Sequence, residues 1–371
     1  MRIPLSAPDI AEADIQAVSA VLRTSRLSLG PRLEEFEHAL AGYVGVREAV
    51  AVSSGTCALH LSLLALGIGE GDEVVVPSFA FVAVANAVRY VGAIPVFADI
   101  QPDSLNLDPR SIESAITTRT RAVIVVHTFG VPADMAAIRE LARRHNLPVV
   151  EDACEALGAE IDGRRVGSLG VTGIFGFYPN KQITAGEGGA VVSNNPELAK
   201  RVRSLRNQGR EGTEWLQHME VGYNYRISEI NCALGLSQLR RIDSILRARE
   251  NVAIAYDGYL GNNSHLSVPP AQLHRCKISW FVYVLRLGEH YSVMQRDALI
   301  EAMASRGIEC GRYFAPIHLQ PAYSKVPPRC MDLRVTESIA PRTLALPFFN
   351  HITAEQIEEV CGTLDELLRK L

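Results

Sequence analysis

Short, almost wholly apolar runs alternate with helix-like segments through the first half of this chain, and that alternation constrains the fold more than any other feature. The runs are Ala49–Ser53, Glu73–Pro77, Ile94–Ile100, Ala122–Thr128 and Pro148–Ala153, with helical patterns such as Thr56–Leu66 and Met135–His145 between them. A strand apolar on both sides must be buried on both faces, and helices returning between such strands predict a parallel sheet covered above and below. Phe175–Tyr178 and Gly189–Ser193 read as two more strands flanking a glycine-rich polar loop, 179–188. From about Ile227 the pattern turns to long helices, with Ile227, Ile230, Leu234, Leu239 and Ile242 at helical spacing. Beyond 250 come a strand-like Trp280–Leu285, a Pro- and Tyr-rich loop 312–328, and a closing helix. In that helix Thr353 and Gln356 form a capping box, Ile352 and Ile357 a hydrophobic staple, and Ile357, Val360, Leu364, Leu367 and Leu368 an apolar stripe. The expected architecture is α/β: a large domain at 1–250 and a small C-terminal α+β domain at 251–371.

Charge and cysteine usage exclude several classes. A net charge of −4 without a basic block offers no footprint for nucleic acid. The longest uncharged apolar stretch, Val74–Val88, is interrupted by Pro77 and Asn86 and too short to span a bilayer. The start of the chain lacks an apolar signal region, so a cytoplasmic location is expected. The seven cysteines lie no closer than 20 residues apart and the ten histidines are dispersed without an HExxH, so no metal is expected.

GxxxxGK[ST], GxSxG and a strand-to-helix GxGxxG are absent. Gly67, Gly69 and Gly71 follow a helix and precede a strand, so they read as a turn. Lysine is scarce: only positions 181, 200, 277, 325 and 370 carry it. Four of these sit in polar or proline-rich surroundings that suit solvated surface. Lys181 instead follows an apolar strand and precedes Gly186-Glu187-Gly188-Gly189, where backbone can approach a ligand closely. A shielded lysine can act as an amine nucleophile and form a Schiff base, although its position alone weighs evenly against a surface role. Asp152 ends an apolar strand, where ligands gather in parallel sheets, or it caps the next helix. Glu151 beside it reads as structural. Ser54-Gly55-Thr56 joins a strand to a helix and offers N–H groups and a helix dipole to a phosphate, though such residues also cap helices without a ligand. Phe81 can stack on a cofactor ring or fill core.

Taken together these blocks resemble the DegT/DnrJ/EryC1/StrS family of sugar aminotransferases, which use pyridoxal 5'-phosphate. The resemblance is carried by SSGTCALHL (53–61), PSFAFVAVANAV (77–88), PVFADI (95–100), EDACEALGA (151–159), FGFYPNKQITAGEGGAVVS (175–193), GYNYRISEINCALGLSQL (222–239) and YFAPIHLQPAY (313–323). It implies an aspartate aminotransferase-like fold (PLP fold type I) with a mostly parallel seven-stranded sheet, and a homodimer with shared active sites. It implies that Lys181 carries the cofactor and then moves protons, that Asp152 faces the pyridine nitrogen, and that Phe81 stacks on the ring. Gly55, Thr56 and Cys57 would hold the phosphate, and Asn224 would reach a partner's phosphate. Tyr313 and His318 would line the sugar-nucleotide pocket. The reaction implied is amino transfer from L-glutamate to a nucleotide-linked keto-deoxysugar. The GEGG segment resembles members acting at C4. The chain departs from the common pattern at Gly176, where serine often bonds the phosphate, at Glu155, where glutamine or histidine often lies near the ring, and at Gln182, usually asparagine. Rival readings are a sugar dehydratase, whose members carry histidine at the position of Lys181, and a non-catalytic sensor of the cofactor or sugar nucleotide.

Overall fold

The computed structural model describes residues 2–211, 217–270, 273, 275–324 and 329–371. Two helices, α1 (Glu12–Leu22) and α2 (Pro31–Val44), precede the alternating region. Pro31 starts α2 without the loss of a hydrogen bond, and the buried Glu229 carboxylate accepts the N–H groups of Gly30, Arg32 and Leu33 at 2.8–3.0 Å. The alternation then runs β1 (Glu48–Val52), α3 (Gly55–Ala65), β2 (Glu73–Pro77), α4 (Ala83–Tyr90), β3 (Ile94–Ala98), α5 (Pro109–Ala115), β4 (Thr120–Val126), α6 (Met135–Arg144) and β5 (Val149–Asp152). A small hairpin, β6 (Glu160–Ile161) and β7 (Arg164–Arg165), separates β5 from β8 (Thr172–Gly176) and β9 (Gly189–Ser193). Helices α7 (Pro196–Arg206), α8 (Glu229–Arg240) and α9 (Ile242–Leu260) follow.

The large sheet has the order β1-β9-β8-β5-β4-β2-β3, extended by β13 (Arg329–Cys330), a two-residue strand that returns from the C-terminal part of the chain. All seven expected strands are present and β13 adds an eighth. Only β9 runs against its neighbours; every other pairing is parallel. The strand expected at Phe175–Tyr178 lies three residues earlier, because the chain leaves the sheet at Gly176 and Phe177 turns into the core. The carboxyl ends of β1, β2, β3, β4, β5 and β8 share one edge, and the loops carrying Ser54, Phe81, Glu155 and Lys181 all spring from it.

The C-terminal part contains β10 (Leu266–Ser267), β11 (Cys276–Lys277), β12 (Tyr283–Leu287), α10 (Val293–Ser305), α11 (Pro321–Ser324), α12 (Arg334–Ile339), β14 (Thr343–Leu346) and α13 (Ala354–Leu368). A second antiparallel sheet, β10-β12-β14, packs with α10 and α13 around Tyr256, Tyr283, Met303 and Phe348. Helix α9 runs unbroken through position 250: Ile242 and Ile245 face the large core, Val252, Tyr256 and Leu260 the smaller one. The capping box at Thr353 and Gln356 forms as the sequence predicts, with Ile352 and Ile357 both buried. No helix among the described residues is long and apolar enough to cross a membrane.

Candidate active site

The loop after β8 folds back on itself, with Phe177 N–H bonded to the Gly188 carbonyl, Ala185 N–H to the Phe177 carbonyl and Lys181 N–H to the Tyr178 carbonyl. Gln182 locks it from below: its Nε2 donates to the Glu155 carbonyl at 2.6 Å and to Ser279 at 3.1 Å. Lys181 is thereby held on a clamped turn. Its Nζ lies 3.7 Å from Glu155 Oε1 and 4.1 Å above the centre of the Phe281 ring, with only 17% of the side chain exposed. Lys200, Lys277 and Lys370 lie exposed at the surface, as expected; Lys325 lies outside the described residues.

Two buried acids accompany it. Asp152 ends β5, and its Oδ1 accepts the Cys154 N–H at 3.0 Å. Glu155 Oε2 accepts the N–H of Phe129 at 3.0 Å. Burial pushes the Glu155 carboxyl above the usual carboxylate range, against the opposing pull of Lys181 and the Phe129 bond. Phe129 holds φ at 58°, a left-handed conformation that costs a bulky residue about 1–3 kcal/mol. The turn is kept there by Gly130, whose φ is 89°; a side chain at that position would strike the Ser279 carbonyl.

At the start of α3, Ser54 Oγ accepts the Cys57 N–H at 3.1 Å, and the first-turn donors beside it open toward the same edge. Backbone packs on backbone here. A Cβ on Gly55 would lie 2.9 Å from Cys154 Sγ and 3.5 Å from Gly176 Cα, and one on Gly189 would overlap Ser54 and Gly55. Glycine at these positions lets the strand-to-helix turn pack closely on its neighbours, which leaves the N-terminal turn of α3 at the carboxyl edge, where its N–H groups suit a phosphate. Cys154 packs against Gly55 and Gly176, and burial with the nearby Asp152 charge raises its thiol pKa well above the ordinary value, so it stays neutral.

The other expected residues distribute unequally. Phe81, 61% exposed, stands just past β2 on the carboxyl edge. Tyr313 lies with Phe129, Phe281 and Phe314, ring centres 5.0–6.4 Å away, and burial together with the Glu155 charge raises its hydroxyl. Tyr313 therefore joins the Lys181 cluster. Asn224 is exposed beside the stacked Tyr223 and Tyr225. For His318, Nδ1 lies 2.6 Å from Ser78 Oγ and Nε2 3.1 Å from Glu337 Oε1, so the ring pins its loop to α12. Sequence reasoning missed Phe129, Phe281 and Arg249. The buried Arg249 guanidinium donates to the Trp280 and Phe281 carbonyls at 2.8 and 3.0 Å and to Asn350. Burial lowers its pKa to about 10. It holds the chain that presents Phe281 to Lys181, a contact across 100 residues that no local pattern announces.

A shielded amine, two buried acids and a glycine-lined helix start meet at the carboxyl edge of a mixed α/β sheet, a set of groups suited to handling an amine, a proton and a phosphate. Residues 8–365 match the DegT/DnrJ/EryC1/StrS aminotransferase family, and the chain belongs to it. It is 41% identical to the GDP-perosamine synthase of Caulobacter vibrioides over 99% of this chain and 98% of that one. Among solved structures it resembles DesV of S. venezuelae, determined with a ketimine intermediate, at 38% identity and TM-score 0.91 over 100% of this chain and 99% of that one. The PLP form of the putative sugar aminotransferase Spr1654 from Streptococcus pneumoniae superposes with TM-score 0.94 at 28% identity, again over 100% and 99% of the two chains. The cofactor of this enzyme is pyridoxal phosphate.

Proposed function

We propose that the enzyme moves an amino group from L-glutamate to the keto carbon of a nucleotide-linked deoxysugar, at C4. The observation that carries the reading is Lys181 Nζ, held between Glu155 and Phe281 on a clamped loop at the carboxyl edge of the sheet. The relative that makes GDP-perosamine supports a nucleotide-linked substrate, and the GEGG segment after Lys181 supports C4. Bound pyridoxal phosphate would supply an electron sink that stabilises negative charge on the carbon bearing the nitrogen.

The protein's own residues do the rest. Asp152 fits a partner for the pyridine nitrogen, its carboxylate keeping that nitrogen protonated. The N-terminal turn of α3, with Gly55, Thr56 and Cys57, fits the phosphate. Phe81, exposed just past β2, would cover one face of the ring. Lys181 Nζ takes a proton from one carbon and returns it to another, and its fixed loop keeps the transfer short. Tyr313, clustered with Phe129 and Phe281, would contact the sugar. Exposed Asn224 fits the phosphate of a second copy across a homodimer interface.

The test is the visible absorbance of the purified protein with pyridoxal phosphate, before and after L-glutamate. The expected result is a band of lysine-bound cofactor that glutamate abolishes, followed by ¹⁵N transfer from labelled glutamate to a GDP-linked 4-keto-deoxysugar. A band that ignores glutamate would sink the donor, and no band would sink the role of Lys181. Transfer of nitrogen to C3 instead, read by NMR of the product, would correct the position.

A further inference from the structure

We infer that Glu155 is a catalytic residue, the proton partner of Lys181, which holds the proton that Lys181 sheds whenever its nitrogen acts as a free amine. The inference rests on the assignment of Lys181 above and adds a second group to it. Oε1 of Glu155 faces Lys181 Nζ at 3.7 Å, while Oε2 is fixed by a single backbone donor, Phe129 N–H. The Glu155 main chain is tied to the same loop through Gln182. Both ends of the pair are therefore positioned independently of whether a proton lies between them. The residue that supplies this N–H, Phe129, stands in a left-handed conformation, so the acid is oriented at some expense to the fold.

Chemistry gives the pair its use. Proton transfer from the Lys181 ammonium to the Glu155 carboxylate leaves a neutral amine and a neutral carboxylic acid. The pair has zero net charge before and after, and no other reactant is needed. In a buried site the neutral form avoids the desolvation of two ions, so once the side chains close from 3.7 Å to hydrogen-bond contact the transfer releases a nucleophilic amine without solvent. The other charged or titratable groups facing the pair are Asp152, Cys154 and Tyr313. Asp152 disfavours a second negative charge on Glu155; Cys154 and Tyr313 are held neutral by burial. A carboxylate already saturated with donors could not take the proton, but Glu155 is not saturated.

The experiment reads Lys181 directly in the full-length protein freed of cofactor. An amine-acylating reagent is applied across a pH series and labelling is counted by peptide mass spectrometry, with exposed Lys200 as the internal reference. A nearby carboxylate stabilises an ammonium, so Glu155→Gln should lower the labelling midpoint of Lys181 by at least one pH unit, a tenfold change in proton affinity. Glu155→Asp, which keeps the charge on a shorter stem, should fall between. An unchanged midpoint in Glu155→Gln overturns the inference. Should that variant fail to fold, the reciprocal measurement decides. In Lys181→Met the infrared band of protonated Glu155 should persist to higher pH than in the native protein, and persistence to the same pH overturns it. Because the labelling uses no cofactor, a protein that shows the midpoint shift but never binds pyridoxal phosphate would refute the proposed function and leave the proton pair standing. The opposite pattern would refute only the pair.

Discussion

Glu151 and Glu155 lie four residues apart, both buried, and the structure treats them in opposite ways. Glu151 accepts N–H groups from Gly167, Leu169 and Gly170 and faces the fully buried His127, whose Nε2 is 3.0 Å away. His127 in turn accepts the Ala133 N–H, so every polar atom of that corner is spoken for. Glu155 has one backbone donor and an amine at 3.7 Å. A carboxylate saturated by main-chain donors fixes a loop and has no capacity left for chemistry; one left short of donors remains able to exchange a proton. The same contrast extends further. Glu229, which caps α2, and Asp99, which accepts the N–H groups of Val335 and Thr336 at the start of α12, belong with Glu151.

The largest effect that would break this division is at Lys181. Lys181→Ala should lower turnover by about 10³-fold or more while the circular dichroism spectrum and thermal midpoint stay near native. Substantial activity in that variant would remove the site from the Lys181 loop altogether. Next comes Glu151→Ala, which strands three N–H groups and His127. It should cost about 3–5 kcal/mol in urea unfolding. Glu155→Gln, which keeps an acceptor for Phe129, should cost under about 1 kcal/mol in the same assay. Equal losses for the two variants would erase the distinction between structural and chemical acids.

Gly55→Ala tests the turn that starts α3. A methyl group pressed toward Cys154 Sγ and Gly176 should weaken pyridoxal phosphate binding about 10- to 100-fold, the scale of a 1–3 kcal/mol overpacking penalty, read by cofactor titration. The smallest effect is expected at the N-terminal strap, where Asp9 and Asp14 meet Arg241. Burial works to raise both carboxyls, but their hydrogen bonds and the Arg241 charge outweigh it and hold both below the ordinary 3.8. Folded values below the unfolded one mean stability present above about pH 4 and lost as pH falls through the lowered values. Hydrogen exchange of residues 9–22 should stay slow at pH 5 and accelerate below pH 4. Acceleration already at pH 5 would contradict that direction. Glu155 is shifted the opposite way, upward, by burial.

Much of this was legible in the residues. The five apolar runs became β1 to β5 within two residues at either end, because a strand buried on both faces leaves an unambiguous composition. Lys181 stood out through its scarcity and its glycine-rich neighbourhood, and Ser54 capped α3 as its position suggested. The eighth strand was not legible: Arg329–Cys330 carries no apolar pattern and pairs with β3 only because the chain returns to that edge. The partners of His318 were not legible either. Its motif suggested a sugar contact, and its bonds to Ser78 and Glu337 arise from a loop crossing two elements far apart in sequence.

The sequence by itself determined the layered α/β class and the helix starts and singled out Lys181 as a candidate, since periodicity, caps and local backbone freedom are properties of neighbouring residues. The tertiary structure alone decided that Phe281 lies under Lys181, that Arg249 holds it there, and that Glu155 keeps one donor where Glu151 has three. Those facts depend on how distant segments pack. The reactivity of a buried charge is set by the count of donors around it, which no stretch of neighbouring residues contains.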